Sequence, residues 1–159
     1  MALIHEDGSG VSDAESYCSV AFADAYHSAR GNAWEGSDGV KESALRQATD
    51  YMGGRNWKGE RVSASQALDW PRDGVVVDGY ELDADAVPTA IQKACAELAL
   101  RALVEPLAPD EDRQVVSERI DAISVTYAQG ARASKRWTAA ENLMRPYLMG
   151  ASGLRLERA

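Results

Sequence analysis

The sequence predicts a mainly α-helical fold: a helical bundle of about four helices with a small β-hairpin or β-ribbon and an extended C-terminal tail. Four segments place apolar residues at the period of an amphipathic helix, and one Asp-Gly pair separates two short apolar runs in the pattern of a hairpin. The 159 residues, 45% hydrophobic and 26% charged, have the size and composition of one globular domain. We therefore expect one domain over residues 1–148 and a tail over residues 149–159.

The N-terminal residues predict a short strand and a turn. Residues 3–4 suit a strand, and two glycines interrupt any regular element within residues 6–10. Residues 5–7, His-Glu-Asp, include metal-ligating types, but adjacent side chains of an extended segment point in different directions. We interpret them as a solvated terminus.

Two amphipathic helices are predicted next, over residues 19–30 and 39–52. Ser19 is suited to cap the first, and Ser37 or Asp38 to cap the second, because short polar side chains accept hydrogen bonds from first-turn amides. Glycines follow both segments and favour termination there. The apolar face of the first helix consists of Phe22, Ala25, Tyr26 and Ala29, and that of the second of Val40, Ala44, Leu45, Ala48, Tyr51 and Met52.

A third helix is predicted over residues 88–105. Its apolar residues form two stripes, one ending at Leu103 and the other including Leu100 and Val104, and they leave only a narrow polar edge. A helix that is apolar around most of its circumference packs against neighbours on several sides. We expect this helix to be the central one of the domain.

The β-structure is predicted in two places. Val75-Val76-Val77 and Tyr80-Glu81-Leu82 flank Asp78-Gly79, a pair that tolerates the positive φ angles of a two-residue hairpin turn. Residues 115–121 and 123–127 have the character of two further strands, and the second alternates apolar and polar side chains.

The last helix is predicted over residues 138–148. Thr138 and Glu141 have the spacing of a capping box, in which the threonine caps the helix and the glutamate bonds back to it. Pro146 is expected to end or kink the helix.

Charge and motif content exclude several classes of function. The 17 Lys and Arg are outnumbered by 25 Asp and Glu, giving a formal charge of −8, whereas proteins that grip nucleic acid neutralise phosphates with basic side chains. Cys18 and Cys95 match no metal spacing and favour a reducing compartment, and His27 is interpreted as a surface or boundary residue. We expect no enzyme activity, cofactor or metal, and no membrane association because no apolar run is long enough.

Four tryptophans leave two interpretations open. One is a stacking platform for single-stranded DNA, on which aromatic rings stack bases and nearby basic side chains contact phosphates. The other is that the indoles attach irregular loops to the helices. The candidate DNA-binding set consists of Trp57, Lys58, Arg61, Trp70 and Arg72.

An ordered series of short motifs runs over residues 2–105. The motifs include Trp57-Lys58-Gly59, Gln66-Ala67-Leu68-Asp69-Trp70-Pro71-Arg72, Val87-Pro88 and Ala96-Glu97-Leu98-Ala99. This series resembles a family of small tailed-bacteriophage proteins encoded in the head-morphogenesis region. Two descriptions attach to such sequences, head-to-tail adaptor and DnaT-like single-stranded-DNA-binding protein.

The adaptor description implies a virion protein that is assembled in the host cytoplasm. Its partners would be the portal protein, identical subunits in a ring of twelve, and the next tail or neck component. DNA would pass through the ring without specific binding, which suits an acidic chain because like charges repel phosphate. The resemblance implies portal binding by the C-terminal tail, for which the candidate residues are Met149, Leu154, Arg155, Leu156 and Glu157. The alternative function is single-stranded-DNA binding by the tryptophan set.

Overall fold

The computed structural model describes residues 2–108, 117–120, 123–126 and 136–150. Four α-helices and three small antiparallel sheets of two strands each lie in these ranges. The elements in chain order are α1 (Val20–Ser28), α2 (Asp38–Met52), β1 (Glu60–Arg61), β2 (Arg72–Asp73), β3 (Val76–Val77), β4 (Tyr80–Glu81), α3 (Thr89–Ala102), β5 (Ser117–Ile120), β6 (Ile123–Thr126) and α4 (Thr138–Met144), followed by a 3-10 turn (Arg145–Tyr147).

All four predicted helices are present, but the domain is a mixed α and β structure and not simply a helical bundle. β1 pairs with β2, β3 with β4 and β5 with β6. Long irregular segments connect the helices, and several large side chains from these segments enter the same hydrophobic core as the helices. The small sheets and loops therefore contribute to the packing of the domain.

Helix α3 is the central helix, as predicted. It contacts α1, α2 and α4. It ends at Ala102, so the predicted extension to residue 105 is wrong, and Val104, expected in its second apolar stripe, is 82% exposed. The buried face of α3 consists of Ile91, Ala94, Cys95, Ala96, Leu98 and Ala99.

The helix caps agree with the sequence in part. The Ser19 hydroxyl accepts a hydrogen bond from the Phe22 amide at 3.1 Å, as a serine cap should. Ser37 is the N-terminal cap of α2, although its side chain makes no capping hydrogen bond. The capping box predicted for α4 is wrong, because Trp137 occupies the cap position and the Glu141 carboxylate accepts from Arg136 at 2.9 Å.

The last helix ends where the sequence predicts a break. Pro146 lies in the 3-10 turn that follows Met144. The next residues run alongside the loop between α2 and β1: the Lys58 amide donates to the Tyr147 carbonyl at 2.9 Å, and the Met149 amide donates to the Asn56 carbonyl at 2.8 Å. This pairing joins the C-terminal end of the described chain to its middle.

The predicted hairpin is confirmed as β3 and β4, with Val77 opposite Tyr80. Asp78 and Gly79 form the turn with φ angles of 53° and 86°, as a type I′ turn requires. β5 and β6 lie within the two strands predicted after α3 and pair with Ile120 opposite Ile123. The β1–β2 ribbon was not predicted, because strands of two residues carry no periodic pattern.

The N-terminal segment differs from its predicted solvated state. Residues 3–4 form no strand; a single parallel bridge joins His5 to Ser16. Glu6 is only 3% exposed, and its carboxylate accepts hydrogen bonds at 2.9 Å from the amides of Gly8, Gly10 and Val11. Glu6 therefore organises the loop that follows it.

Candidate interaction surfaces

Both tryptophans of the candidate DNA-binding set lie in the core. Trp57 is 3% exposed and Trp70 is 0% exposed. Their rings meet edge to face with centroids 5.9 Å apart, and Tyr147 meets Trp70 in the same way at 5.8 Å. The Trp57 indole also donates to the Asp69 carboxylate at 3.2 Å. Because no ring face is open to solvent, a nucleotide base has no room to stack on either indole.

The basic residues of that set hold the loop around the tryptophans. Arg72 donates from its three guanidinium nitrogens to the carbonyls of Lys58 at 2.7 Å, Gly59 at 2.6 Å and Asp69 at 3.1 Å. Arg61 donates to the Gln66 carbonyl, and Lys58 donates to the Val76 carbonyl at 3.1 Å. The structure thus brings the five residues of the set into one region: the two tryptophans are buried, and the three basic side chains, of which Arg61 is exposed, donate to backbone carbonyls. This arrangement agrees with the interpretation that the indoles attach loops to the helices.

Gln66 also holds this loop in place, and it was not among the predicted site residues. It is 2% exposed. Its amide nitrogen donates to the carbonyls of Leu68 at 2.9 Å and Pro71 at 3.0 Å, and its oxygen accepts from the Ser63 amide at 2.9 Å. It lies in the Gln66 to Arg72 motif, so only the resemblance, and no physical pattern, pointed to it.

Trp34 has a similar structural role between α1 and α2. It is 7% exposed, and its indole donates to the Asp24 carboxylate at 2.7 Å. The Lys41 ammonium donates to the same carboxylate at 2.8 Å. The hydrogen bond from Lys41, followed by that from Trp34, lowers the pKa of Asp24 despite the opposing effect of burial.

Two buried polar groups, His27 beside α3 and Cys95 on it, make hydrogen bonds to other segments of the chain. His27, expected near the surface, is fully buried: one ring nitrogen, Nε2, lies 3.1 Å from the Ala96 carbonyl, and the other, Nδ1, lies 3.0 Å from the Asn32 amide. The Cys95 sulfur lies 3.4 Å from the Thr49 hydroxyl. The Cys18 thiol is hydrogen-bonded to Cys95, and this bond, together with burial, raises the pKa of Cys18.

Within the described residues, no group of three or more His, Cys, Asp or Glu side chains is placed to hold a metal ion. Over the same parts of the chain, no helix has both the length and the apolar character needed to cross a bilayer.

One pocket places two arginines beside an indole. It lies between α3 and the start of α4 and has a volume of about 250 Å³. Arg101 is exposed, Arg136 is 58% exposed and paired with Glu141, and Trp137 is half-buried. Glu97 is the one acidic residue among the described walls of the pocket, and it accepts a hydrogen bond from the Tyr26 hydroxyl at 2.9 Å. We call this the arginine pocket; its walls are Glu97, Arg101, Arg136, Trp137, Thr138, Ala139 and Ala140.

The β3–β4 hairpin differs from the arginine pocket, because its exposed side chains are apolar and acidic. Tyr80 is 77% exposed and Val76 is 48% exposed, so the hairpin presents apolar side chains to solvent. Acidic residues surround them. The exposed carboxylates of this segment are those of Asp73, Asp78, Glu81, Asp83 and Asp85.

The candidate portal-binding residues lie at the C-terminal end. Met149 is 57% exposed, and its amide is bonded to the Asn56 carbonyl. Leu154, Arg155, Leu156 and Glu157 lie outside the described residues.

Comparison with known proteins gives one match. The model of a family described as "Putative DnaT-like ssDNA binding protein" matches residues 1–159. No curated protein and no solved structure matches the chain. Since the match covers the whole sequence, the chain belongs to this DnaT-like family.

Proposed function

We propose that this protein is a structural component of the neck of a tailed bacteriophage, a head-to-tail adaptor that extends the DNA channel below the portal. One observation carries the proposal: Trp57 and Trp70, the rings suited to base stacking, are buried in the core, and Arg72 donates its guanidinium hydrogen bonds to backbone carbonyls. Acidic residues outnumber basic ones in the chain, which has a formal charge of −8. The resemblance of the short motifs over residues 2–105 to phage head-morphogenesis proteins is in keeping with the same function.

An acidic surface suits a protein that surrounds moving DNA. Phosphates are repelled by carboxylates, and they bind tightly only where several basic side chains replace their counterions. Many described basic residues are already engaged: Lys41 and Arg46 pair with acidic side chains, and Arg61 with a backbone carbonyl. Under this proposal the protein acts by contact and not by catalysis, and DNA passes without specific binding.

The proposed partners are the portal protein, identical subunits in a ring of twelve, and the next neck or tail component, and the proposed location is the virion. Residues 149–159 are the segment proposed to reach the portal. In this scheme, Leu154 and Leu156 insert into an apolar groove of the portal, and the charged residues between and after them stay at its rim.

Docking onto purified portal tests the proposal. The full chain is expected to cosediment with portal, and a chain lacking residues 151–159 is expected to lose most of that binding. A second variant replaces Leu154 and Leu156 by serine without shortening the chain; it keeps the tail length, removes only its apolar side chains, and is expected to lose most of the binding as well. Absence of docking by the full chain would contradict the adaptor function. Equal docking by all three proteins would contradict only the role proposed for the tail and would leave the adaptor function standing.

Single-stranded-DNA binding is the second candidate function, and the family description favours it. Among the described residues, the arginine pocket is the place suited to it, because Arg101 and Arg136 could contact phosphates beside the Trp137 ring.

An oligonucleotide titration distinguishes the two functions. Binding that depends on phosphate contacts weakens steeply as salt rises, because counterions are released. The adaptor proposal predicts no saturable binding of a labelled single strand at physiological ionic strength. Tight binding there, lost in an R101E variant, would support the second function instead.

A further inference from the structure

We propose that the β3–β4 hairpin of one subunit inserts Tyr80 into the arginine pocket of a second copy of this chain. The inference rests on the proposed function, because it supplies the contact between neighbouring subunits of the ring. It also identifies which two surfaces of the chain meet, which the family description does not address.

The exposed hairpin is the first reason. Tyr80 is 77% exposed directly after a two-residue turn, and it lies opposite Val77 in the ribbon, whereas Val76 pairs with Glu81. Tyrosine contributes strongly to interfaces, because its ring buries a large apolar area at small entropic cost and its hydroxyl stays hydrogen-bonded. A hairpin whose tip is fixed by Asp78 and Gly79 presents this ring already in place.

The pocket complements the hairpin in size and charge. Its volume of about 250 Å³ is below the roughly 300 to 1,000 Å³ of sites for drug-sized ligands, so it suits a single side chain. The half-buried Trp137 ring and the exposed methyl group of Ala139 offer apolar contact for a tyrosine ring. The exposed Arg101 lies at the same site and matches the acidic residues next to Tyr80 on the hairpin, whereas Arg136 is already paired with Glu141.

The positions of the two surfaces favour contact between molecules. β3 packs near the 3-10 turn at the end of α4, whereas the pocket lies at the beginning of α4. The seven residues of α4 separate these sites by about 10 Å along its axis. The high exposure of Tyr80 shows that it does not fill the pocket of its own molecule.

Two different surfaces that bind each other make a heterologous interface. Such an interface repeats from one subunit to the next and closes into a ring when the rotation permits. Hairpin-to-pocket contact therefore supplies the type of symmetry that an adaptor ring requires.

Two single variants test the contact by sedimentation velocity of the full chain at low salt and increasing protein concentration. Y80S removes the ring from the hairpin, and R101E reverses one charge in the pocket; each is expected to weaken self-association at least about tenfold. E35K is the matched control, because it changes an exposed charge outside both surfaces and should associate as the wild type does. Far-UV circular dichroism establishes that all variants are folded.

Mixing the two variants gives the sharper result. The R101E chain keeps an intact hairpin and the Y80S chain keeps an intact pocket, so an equimolar mixture is expected to form a one-to-one heterodimer that grows no further. A wild type that stays monomeric at millimolar concentration, or variants that associate as the wild type does, would overturn the inference. The inference would also be overturned if R101E lost oligonucleotide binding but kept self-association, because the pocket would then bind nucleic acid and not the hairpin. Docking onto portal is measured separately, so the adaptor function can stand when this contact fails.

Discussion

At the scale of single residues, His27 is a histidine held neutral inside the protein. Its Nδ1 accepts from the Asn32 side-chain amide, so Nε2 carries the proton and donates to the Ala96 carbonyl. The charged groups that act on the ring are Glu97, Arg30 and Asp24. Burial is the largest effect, and it lowers the pKa of His27 below its ordinary value of 6.5.

This lowered pKa predicts a specific loss of stability in mild acid. The unfolded chain binds a proton at His27 more readily than the folded protein, so the stabilising effect is complete above pH 6.5. It declines as the pH falls through 6.5 towards the lower pKa of the folded state, by at most about 1.4 kcal/mol per pH unit. Urea unfolding between pH 5 and pH 7 measures the slope. The free energy of unfolding of H27Q, whose glutamine cannot titrate, should change less with pH over this range. An equal slope in both proteins would contradict the prediction.

Glu6 predicts a second effect at this scale. E6A removes the acceptor of three backbone amides and should lower the free energy of unfolding by about 2 to 3 kcal/mol, because hydrogen bonds to a charged group are strong and the amides lose their partner. E35A, at an exposed glutamate, should change it by less than about 0.5 kcal/mol. Urea denaturation of both variants checks this, and similar losses would refute the role assigned to Glu6.

At the scale of elements, α3 determines how the other helices pack. Leu98 is fully buried on it, and L98A should cost about 2 to 5 kcal/mol because a cavity remains in the core. Val104 lies just beyond the end of the helix and is 82% exposed, so V104A should stay within about 0.5 kcal/mol of the wild type. Chemical denaturation measures both. A large loss in V104A would mean that the helix continues as the apolar pattern alone suggests.

The elements show where sequence patterns are informative. Helical periodicity located all four helices, and Asp78-Gly79 located the hairpin, because these signals depend on neighbouring residues only. The capping box of α4 was misassigned because Glu141 is used by Arg136 and Arg55, which lie outside the helix. The β1–β2 ribbon escaped prediction because it is fixed by distant contacts, such as those of Arg72 with the carbonyls of Lys58 and Gly59.

At the scale of the whole molecule, one hydrophobic core joins helices and loops. It extends from Tyr17 to Met144 and includes Trp57 and Trp70 from the irregular segments. We therefore expect the tryptophan loops and the helices to unfold together, as single domains of this size usually do.

Coincident unfolding curves check this expectation. Tryptophan fluorescence reports chiefly on the loops, and circular dichroism at 222 nm reports on the helices. The two probes should give the same urea midpoint in the wild type. An earlier fluorescence transition would contradict this expectation. It would mean that the loop around Trp57 and Trp70 unfolds separately from the helices, although both rings lie in the common core.

The sequence by itself determined the four helices, the hairpin turn and the acidic character of the chain. Each of these follows from composition or from residues within a few positions of one another. Only the tertiary structure decided the roles of individual side chains: Trp57 and Trp70 lie in the core, His27 is buried, and Arg101, Arg136 and Trp137 share a pocket. The physical reason is that burial and hydrogen bonding depend on which distant segments meet, and no local pattern encodes that meeting.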